Sequence, residues 1–467
     1  MRSLLATIGS TSAPFDVKAL AIVCFTAVIA LGIGKLVFNA FFHPLAKFPG
    51  PRYAGASSLP FHAICFRGNA LPWFQALHEQ YGEVVRIRPN MLSYISPQAW
   101  KDIYGHRTGG RKANTKDPGP TRSRDFNGAP SLISELDDEK HGQTRRIFSN
   151  AFSDRALREQ EPLLLRHVDK LVSNISRDIA KEPGRVFDAV KLYNFTTFDI
   201  MGDLAFGEPL GLLENSAYSK WVTMVFQGVK VIASMLFIFE SPFWTALFHA
   251  MAPPSVRNTI REHNQHSIER VDRRLGAHHD KPDIWNLVLR QPEGRRLTVN
   301  QMYANADLFM LAGTETTATL LSGLTYHLLK NPDKMKKLVE EIRGFESADE
   351  LTVDTLPRLR YLTACLEEGL RCYPPVPTMP YRVVAEGGNV ICGDWVPGGT
   401  FLFVAQYPAF MSPRNFKDPE SFIPERWLPG SGYDSDRKDV LQPFSVGPRN
   451  CIGKKYDTTA QDLLLVV

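Results

Sequence analysis

Near the C-terminus a cysteine stands in the run Phe444-Ser-Val-Gly-Pro-Arg-Asn-Cys451-Ile-Gly453, and these residue types at this spacing can hold a metal through sulfur. Gly447 and Gly453 allow positive φ or a close approach of backbone to a flat ligand, so Cys451 can be presented without a Cβ clash. Backbone N–H groups of such a turn can point at the sulfur and, together with iron, keep it as thiolate. Arg449, two residues ahead, can reach an anionic carboxylate through charge-assisted hydrogen bonds. Phe444 can shield the sulfur from water. The chemistry these residues suggest is that of a haem-thiolate centre with Cys451 as the axial ligand.

A second set stands in Ala312-Gly313-Thr314-Glu315-Thr316-Thr317, inside an apolar-periodic segment. Gly313 costs a helix about 1 kcal/mol relative to Ala, and adjacent threonines can bond back to carbonyls or to water. The expectation is a polar, loosened patch in a buried helix, which marks a functional groove. An acid, Glu315, and a hydroxyl, Thr316, can pass protons inward without flooding the site. Two more constellations complete the inventory. His141 and Arg145 are i and i+4 on one helix face, as are Glu368 and Arg371 at i and i+3. Arg382 and Arg426 lie further along, in Pro380-Tyr-Arg-Val-Val and Phe422-Ile-Pro-Glu-Arg426-Trp427.

The pattern F-x-x-G-x-R-x-C-x-G, with A-G-x-E-T and E-x-x-R ahead of it, resembles the cytochrome P-450 family. The resemblance implies a mainly α fold with a small β subdomain. It also implies haem b, held by Cys451 with Phe444, Gly447 and Arg449, and with His141, Arg145 and Arg382 toward its propionates. Gly313 would belong to the oxygen-binding groove, and Glu315 and Thr316 would be the catalytic acid and alcohol. Glu368, Arg371 and Arg426 would form a buried charge triad locking the loop to the body. The implied reaction inserts one atom of O2 into an apolar small molecule. Electrons come from NADPH through a reductase docked on the basic face of Arg449, Lys454 and Lys455. Val376 to Met379 would line the pocket, and the Phe- and Met-rich region Val225 to Pro254, with Met235, Phe237, Phe239, Phe243, Trp244 and Phe248, would roof it. The wording around Phe198 to Gly207 is similar to fungal members that oxidise secondary metabolites: terpenoids, polyketides or alkaloids.

The elements that must position these groups are legible in outline. Thr298-Val-Asn-Gln301 is a capping box opening a helix to Lys330, about 45 Å at ~1.5 Å per residue. Phe74 to Tyr81 and Tyr361 to Cys372 read as helices, Phe198 to Gly207 as a helix ending at glycine. Val84 to Arg88 and Leu92 to Ile95 read as strands, and Val390 to Val404 as a hairpin turning at Gly398-Gly399.

Ala19 to Gly34 is a run of sixteen uncharged residues, extended past Lys35 by Leu36 to Phe42; together they reach the roughly 20 residues that span a bilayer. The prolines of His43 to Arg52 make a stiff, non-helical connector. Basic residues are sparse before the anchor (Arg2, Lys18) and several after it (Lys35, Lys47, Arg52), which leaves the body cytosolic. The expected organisation is a short lumenal N-terminus (1–18), a single transmembrane anchor (19–42) in the endoplasmic reticulum membrane, a proline-rich hinge (43–55) and one catalytic domain (56–467). The net charge of +5, 54 basic against 49 acidic residues, is too mild to argue for nucleic acid. Six cysteines without zinc-like spacing indicate a reducing compartment.

The stretch after Gly453, Lys454 to Val467, departs from the family, which continues with a long helix under the haem and a further hairpin. Leu463 to Val467 is expected to be one helical turn or a frayed end, the C-terminal part of the domain missing and one pocket wall with it. A non-catalytic or inactive truncated membrane haem protein is the alternative this departure raises.

Overall fold

The computed structural model describes residues 17–107, 112–119, 128–226, 242–277, 281–289, 296–347, 350–378 and 380–466. The expected roof residues Met235, Phe237 and Phe239, and Met379 of the pocket wall, lie outside them.

Helix α1, Val17–Val37, runs into a π-turn at Phe38–Phe42. The segment Lys18–Phe42 reaches a mean hydropathy of 2.4 over an 18-residue window, is exposed from Lys18 to Phe38, and is long and apolar enough to cross a membrane. Its inner end is fastened to the body: Asn39 Nδ2 donates to the Ala56 carbonyl at 3.0 Å, and the Arg52 guanidinium lies 5.2 Å from the Phe41 ring. The proline-rich connector is non-helical from His43 to Pro51, as its prolines require. It is packed rather than spanning: Leu45 and Phe48 are buried in the sheet's core, Arg86 N–H donates to the Pro49 carbonyl, and Lys47 Nζ to the Trp395 carbonyl.

Long helices build the body. Helix α2, Asp138–Ser149, is capped by Asp137, whose carboxylate accepts from the N–H groups of Glu139 and Lys140. Helix α3, Asp154–Lys181, has a Ser153 cap, and α4, Ala189–Phe206, ends at Gly207 with φ 74°, a left-handed C-terminal stop. Next come α5, Pro254–Gly276, then α6, Val299–Lys330, opened by the capping box of Thr298 and Gln301, and α7, Arg360–Cys372. The last, α8, spans Lys454–Val466. Helices α3, α4, α6 and α8 pack together as the main core. Helix α4 is buried all round from Asn194 to Phe206, as its Phe-Thr-Thr-Phe-Asp-Ile-Met run requires.

Two expectations about helices change here. Helix α6 is continuous through Ala312–Thr317, with no loosened patch. Gly313 serves close packing: a Cβ there would lie 2.7 Å from Met201 Sδ of α4. Leu463 to Val466 are not a frayed end but the last turn of a 13-residue helix, whose Tyr456, Ala460, Leu463 and Leu464 enter the main core at helical spacing.

A second core surrounds a five-stranded sheet of order β1-β2-β7-β4-β3. Its strands are β1 Val84–Arg88, β2 Met91–Tyr94, β3 Thr115–Lys116, β4 Arg382–Val383 and β7 Phe401–Val404; β5 Asn389–Ile391 and β6 Asp394–Val396 form a separate hairpin. The expected single hairpin over Val390 to Val404 is thus divided. The turn falls at Cys392-Gly393, both at positive φ (50° and 88°), which suits a two-residue hairpin loop. Gly398-Gly399 leads instead into β7, which pairs in parallel with β2.

Candidate active site

The cysteine loop is closed by the Cys451 N–H, which donates to the Phe444 carbonyl at 2.9 Å. Gly447 is required at its position, because φ is 81° and a Cβ would meet the Tyr104 carbonyl oxygen at 2.0 Å. The Gly453 amide donates toward the sulfur, as the residue types suggest. Cys451 keeps solvent-accessible surface, yet protein atoms crowd closely around it. Burial and then the charge of Asp457 push its thiol up to about 12, against the Gly453 amide, Arg145 and Lys454. The protein alone therefore favours the thiol, and ligation to a cation is what would make it a thiolate.

On one side of the sulfur, basic groups converge. His141 is buried and driven to about 4 by desolvation, then by the charges of Arg449, Arg145 and Lys116. Arg382 sits in the sheet opposite Lys116, its guanidinium 5.0 Å from the Tyr104 ring, and donates to its neighbour's carbonyl, Tyr381 O, at 3.2 Å. Arg145 and Arg449 also have protein partners. Arg145 donates to the Asn450 carbonyl and to Asn450 Oδ1, both at 2.7 Å. Arg449 donates to Asp138 Oδ1 at 2.7 and 2.9 Å and to the carbonyls of Glu135 and Leu136 at 2.6 and 3.0 Å. Both thereby fasten the loop to α2, and Asp138, in the acidic stretch before His141, was a partner the sequence reading missed. The basic face is likewise partly neutralised: Lys455 pairs with Asp154, while Lys454 lies 5.9 Å from the Phe444 ring.

Helix α6 carries Ala312, Glu315 and Thr316 at i, i+3 and i+4, on one face. Thr316 Oγ1 donates to the Ala312 carbonyl at 2.6 Å. Glu315 Oε1 is buried without a hydrogen-bond partner among the described residues, and desolvation pushes the carboxyl up to about 6. Phe152 bridges the two sides, its ring 5.4 Å from Phe309 of α6 and 4.0 Å from where a Gly453 Cβ would stand.

Behind the loop, Glu368, Arg371 and Arg426 are brought together and fully buried. Glu368 accepts from Arg371 at 2.8 and 2.9 Å, Arg426 at 3.1 Å, Trp427 Nε1 at 3.0 Å and the Ile423 N–H at 2.8 Å. Arg426 also pairs with Asp436, which the motif reading missed and for which an irregular loop offers no periodic signal. Arg371 holds the carbonyls of Phe410, Pro419 and Ser421 at 3.1, 2.6 and 2.8 Å, pinning the segment that leads into the loop.

A family model described as cytochrome P-450 matches residues 58–456, most of the chain. The chain belongs to the cytochrome P-450 family. Among curated proteins it is 58% identical over 431 residues to the cytochrome P-450 monooxygenase FUM2 of Gibberella moniliformis, covering 92% of this chain and 91% of that one. It is 45% identical to the monooxygenase efuB of Hormonema carpetanum (92% and 86% covered) and 38% identical to the averantin hydroxylase of Dothistroma septosporum (94% and 84%). As a cytochrome P-450 the chain is an oxygen-incorporating oxidoreductase. The family implies a haem iron, a redox partner that supplies electrons, O2 and a small-molecule substrate.

Proposed function

We propose that this cytochrome P-450 is a membrane-anchored monooxygenase that inserts one oxygen atom into an apolar small molecule of fungal secondary metabolism, with Cys451 as the axial ligand of haem b. The residues present fit that group. An accessible sulfur on a glycine-bounded loop stands beside a surplus of basic side chains, of which Arg382 and neutral His141 keep donor capacity for two carboxylates. Haem, when bound through sulfur, supplies oxygen activation. The balance is one O2, two electrons and two protons, giving one hydroxyl on the substrate and one water.

The chain's own part is to hold the ligand, exclude water and move the protons. Glu315, unpaired and poised near 6, takes up and releases a proton close to neutral pH, and the Thr316 hydroxyl, on the same face of α6, passes it inward. Arg145 and Arg449 hold the loop to α2, and the group of Glu368, Arg371 and Arg426 holds it from behind. Electrons come from NADPH through a reductase that meets the loop's outer face, with Lys454 as its cationic contact. The segment 19–42 is the single-pass anchor in the endoplasmic reticulum membrane, 43–55 a hinge packed on the body, and 56–467 a cytosolic catalytic domain. Relatives named monooxygenases and a hydroxylase support oxygen insertion. The terpenoid, polyketide and alkaloid classes all meet the requirement for an apolar substrate.

The observation that carries this reading is that α8, which leaves the Cys451 loop, packs on the same helix α6 that bears Glu315 and Thr316. Reduced protein under carbon monoxide is expected to show the red-shifted Soret band of thiolate ligation, and Cys451→Ala to abolish it. A wild-type band of the imidazole type removes the reading.

A further inference from the structure

Helix α8 begins directly off the cysteine loop, and its first turn carries a carboxyl group into the main core. The Asp457 N–H donates to the Gly453 carbonyl at 2.8 Å, which ties its backbone to the loop. Its side chain points the other way: Asp457 Oδ1 accepts from Thr317 Oγ1 at 3.0 Å. Asp457 and Thr317 are both buried, and Thr317 follows Thr316 on α6. One residue therefore touches both the loop that presents the sulfur and the helix that presents the acid and alcohol. Among the described residues no lysine or arginine pairs with Asp457, so the hydroxyl is its side-chain compensation for leaving water. Of the other buried residues of α8, Tyr456, Ala460, Leu463 and Leu464 enter the apolar core, while Thr459, Gln461 and Asp462 are buried polar groups. A bond of this kind in such a seam fixes the axial rotation and register of α8 against α6, which apolar packing alone leaves freer.

We infer that Asp457 is a positioning residue which, through the hydroxyl of Thr317, holds the Cys451 loop in register against α6, the helix that bears Glu315 and Thr316. This rests on Cys451 being the iron's ligand. With the bond removed, the loop relaxes and the sulfur is lost as a thiolate ligand more readily, without a change in which residues contact the substrate.

The test uses the full-length, haem-loaded protein and reads the rate at which the reduced carbon monoxide complex converts from the thiolate-type to the thiol-type Soret band, with the thermal midpoint measured alongside. Thr317→Val and Asp457→Ala are each expected to speed conversion about fivefold, the scale of one net hydrogen bond. The double variant converts no faster than either single one, as required of two groups sharing one interaction. Thr317→Ser and Asp457→Asn, which keep a donor and an acceptor, stay within about twofold of wild type. Should Asp457→Ala fail to fold, the contrast between Thr317→Val and Thr317→Ser decides. A Thr317→Val rate equal to wild type, or effects that multiply in the double variant, overturns the positioning role alone. A wild-type spectrum without the thiolate band overturns the role and the ligand assignment together.

Discussion

Arg145 grips both the backbone carbonyl and the side-chain oxygen of Asn450, the residue just before Cys451, at 2.7 Å each. One guanidinium thus sets the orientation of the peptide that leads into the ligand. Arg145→Ala removes two charge-assisted bonds, each of about 1.5 to 3 kcal/mol at most, and leaves the Asn450 carbonyl to water. Haem loss to a scavenger apoprotein should accelerate at least about tenfold, with Arg145→Lys intermediate because it restores charge but not the fork. An unchanged loss rate in Arg145→Ala would show that the loop holds its shape without α2.

Glu368 is fully buried, and burial works against its charge, yet the hydrogen bonds of Arg371, and then the charges of Arg371 and Arg426, hold its carboxyl below the ordinary value. A depressed carboxyl contributes stability that is present above its unfolded value of 4.5 and is lost as pH falls through the lower folded value. Glu368→Gln strands two buried guanidinium groups and should cost roughly 3 to 5 kcal/mol in urea unfolding at pH 7. The gap to wild type should narrow toward acid pH. A gap that stays constant with pH would mean packing, not charge, is what Glu368 contributes.

Glu315 has the opposite displacement: burial raises it to about 6, so its acid form is populated below that pH and fades above it. Proton delivery should then decline as pH rises through about 6. Single-turnover rates measured across pH 5 to 8 (about three decades of proton activity) should show that limb in wild type, and Glu315→Gln should lose it along with about a hundredfold in rate. A profile of identical shape in Glu315→Gln would place the titrating group elsewhere.

Thr316 spends its hydroxyl proton on the Ala312 carbonyl, leaving oxygen lone pairs toward the open face of α6. Thr316→Ala should divert electrons to released hydrogen peroxide at unchanged NADPH consumption, and Thr316→Ser should restore coupling. Equal coupling in all three proteins would reduce Thr316 to helix packing.

Asp462 of α8 is buried, and desolvation raises its carboxyl to about 7. The unfolded chain gives up that proton near 3.8, so unfolding free energy falls as pH rises from about 4 to about 7. Asp462→Asn removes this dependence and should be more stable than wild type at pH 8 by roughly 2 to 4 kcal/mol, at about 1.4 kcal/mol per unit. Parallel stability curves for the two proteins would show that Asp462 remains solvated in the native state.

The parts of the site that were readable share a property: their partners lie within one turn or one short loop. The capping box of Thr298 and Gln301, the Glu368–Arg371 pair and the glycines around Cys451 are all of this kind. Gly313 shows how the same local reading fails. A glycine among threonines reads as a loosened groove, but the α6 backbone is continuous and the missing Cβ makes room for Met201, more than a hundred residues earlier. The turn at Cys392-Gly393 was hidden for another reason, since Gly398-Gly399 offers a stronger turn signal and only the pairing of β7 with β2 shows which strand belongs where.

By itself the sequence determined the cysteine loop, the long capped helix that bears Glu315 and Thr316, and an apolar segment of membrane-spanning length, because spacing along the backbone constrains φ, ψ and helix faces directly. Tertiary structure decided which protein groups the arginines hold. Arg145 and Arg449 read in the sequence as partners for a cofactor carboxylate, and the fold adds protein partners for both that join loop and helix across 305 and 311 residues of chain. A guanidinium has a long reach and many acceptable partners, so its assignment depends on which carbonyl or carboxylate the fold brings within 3 Å.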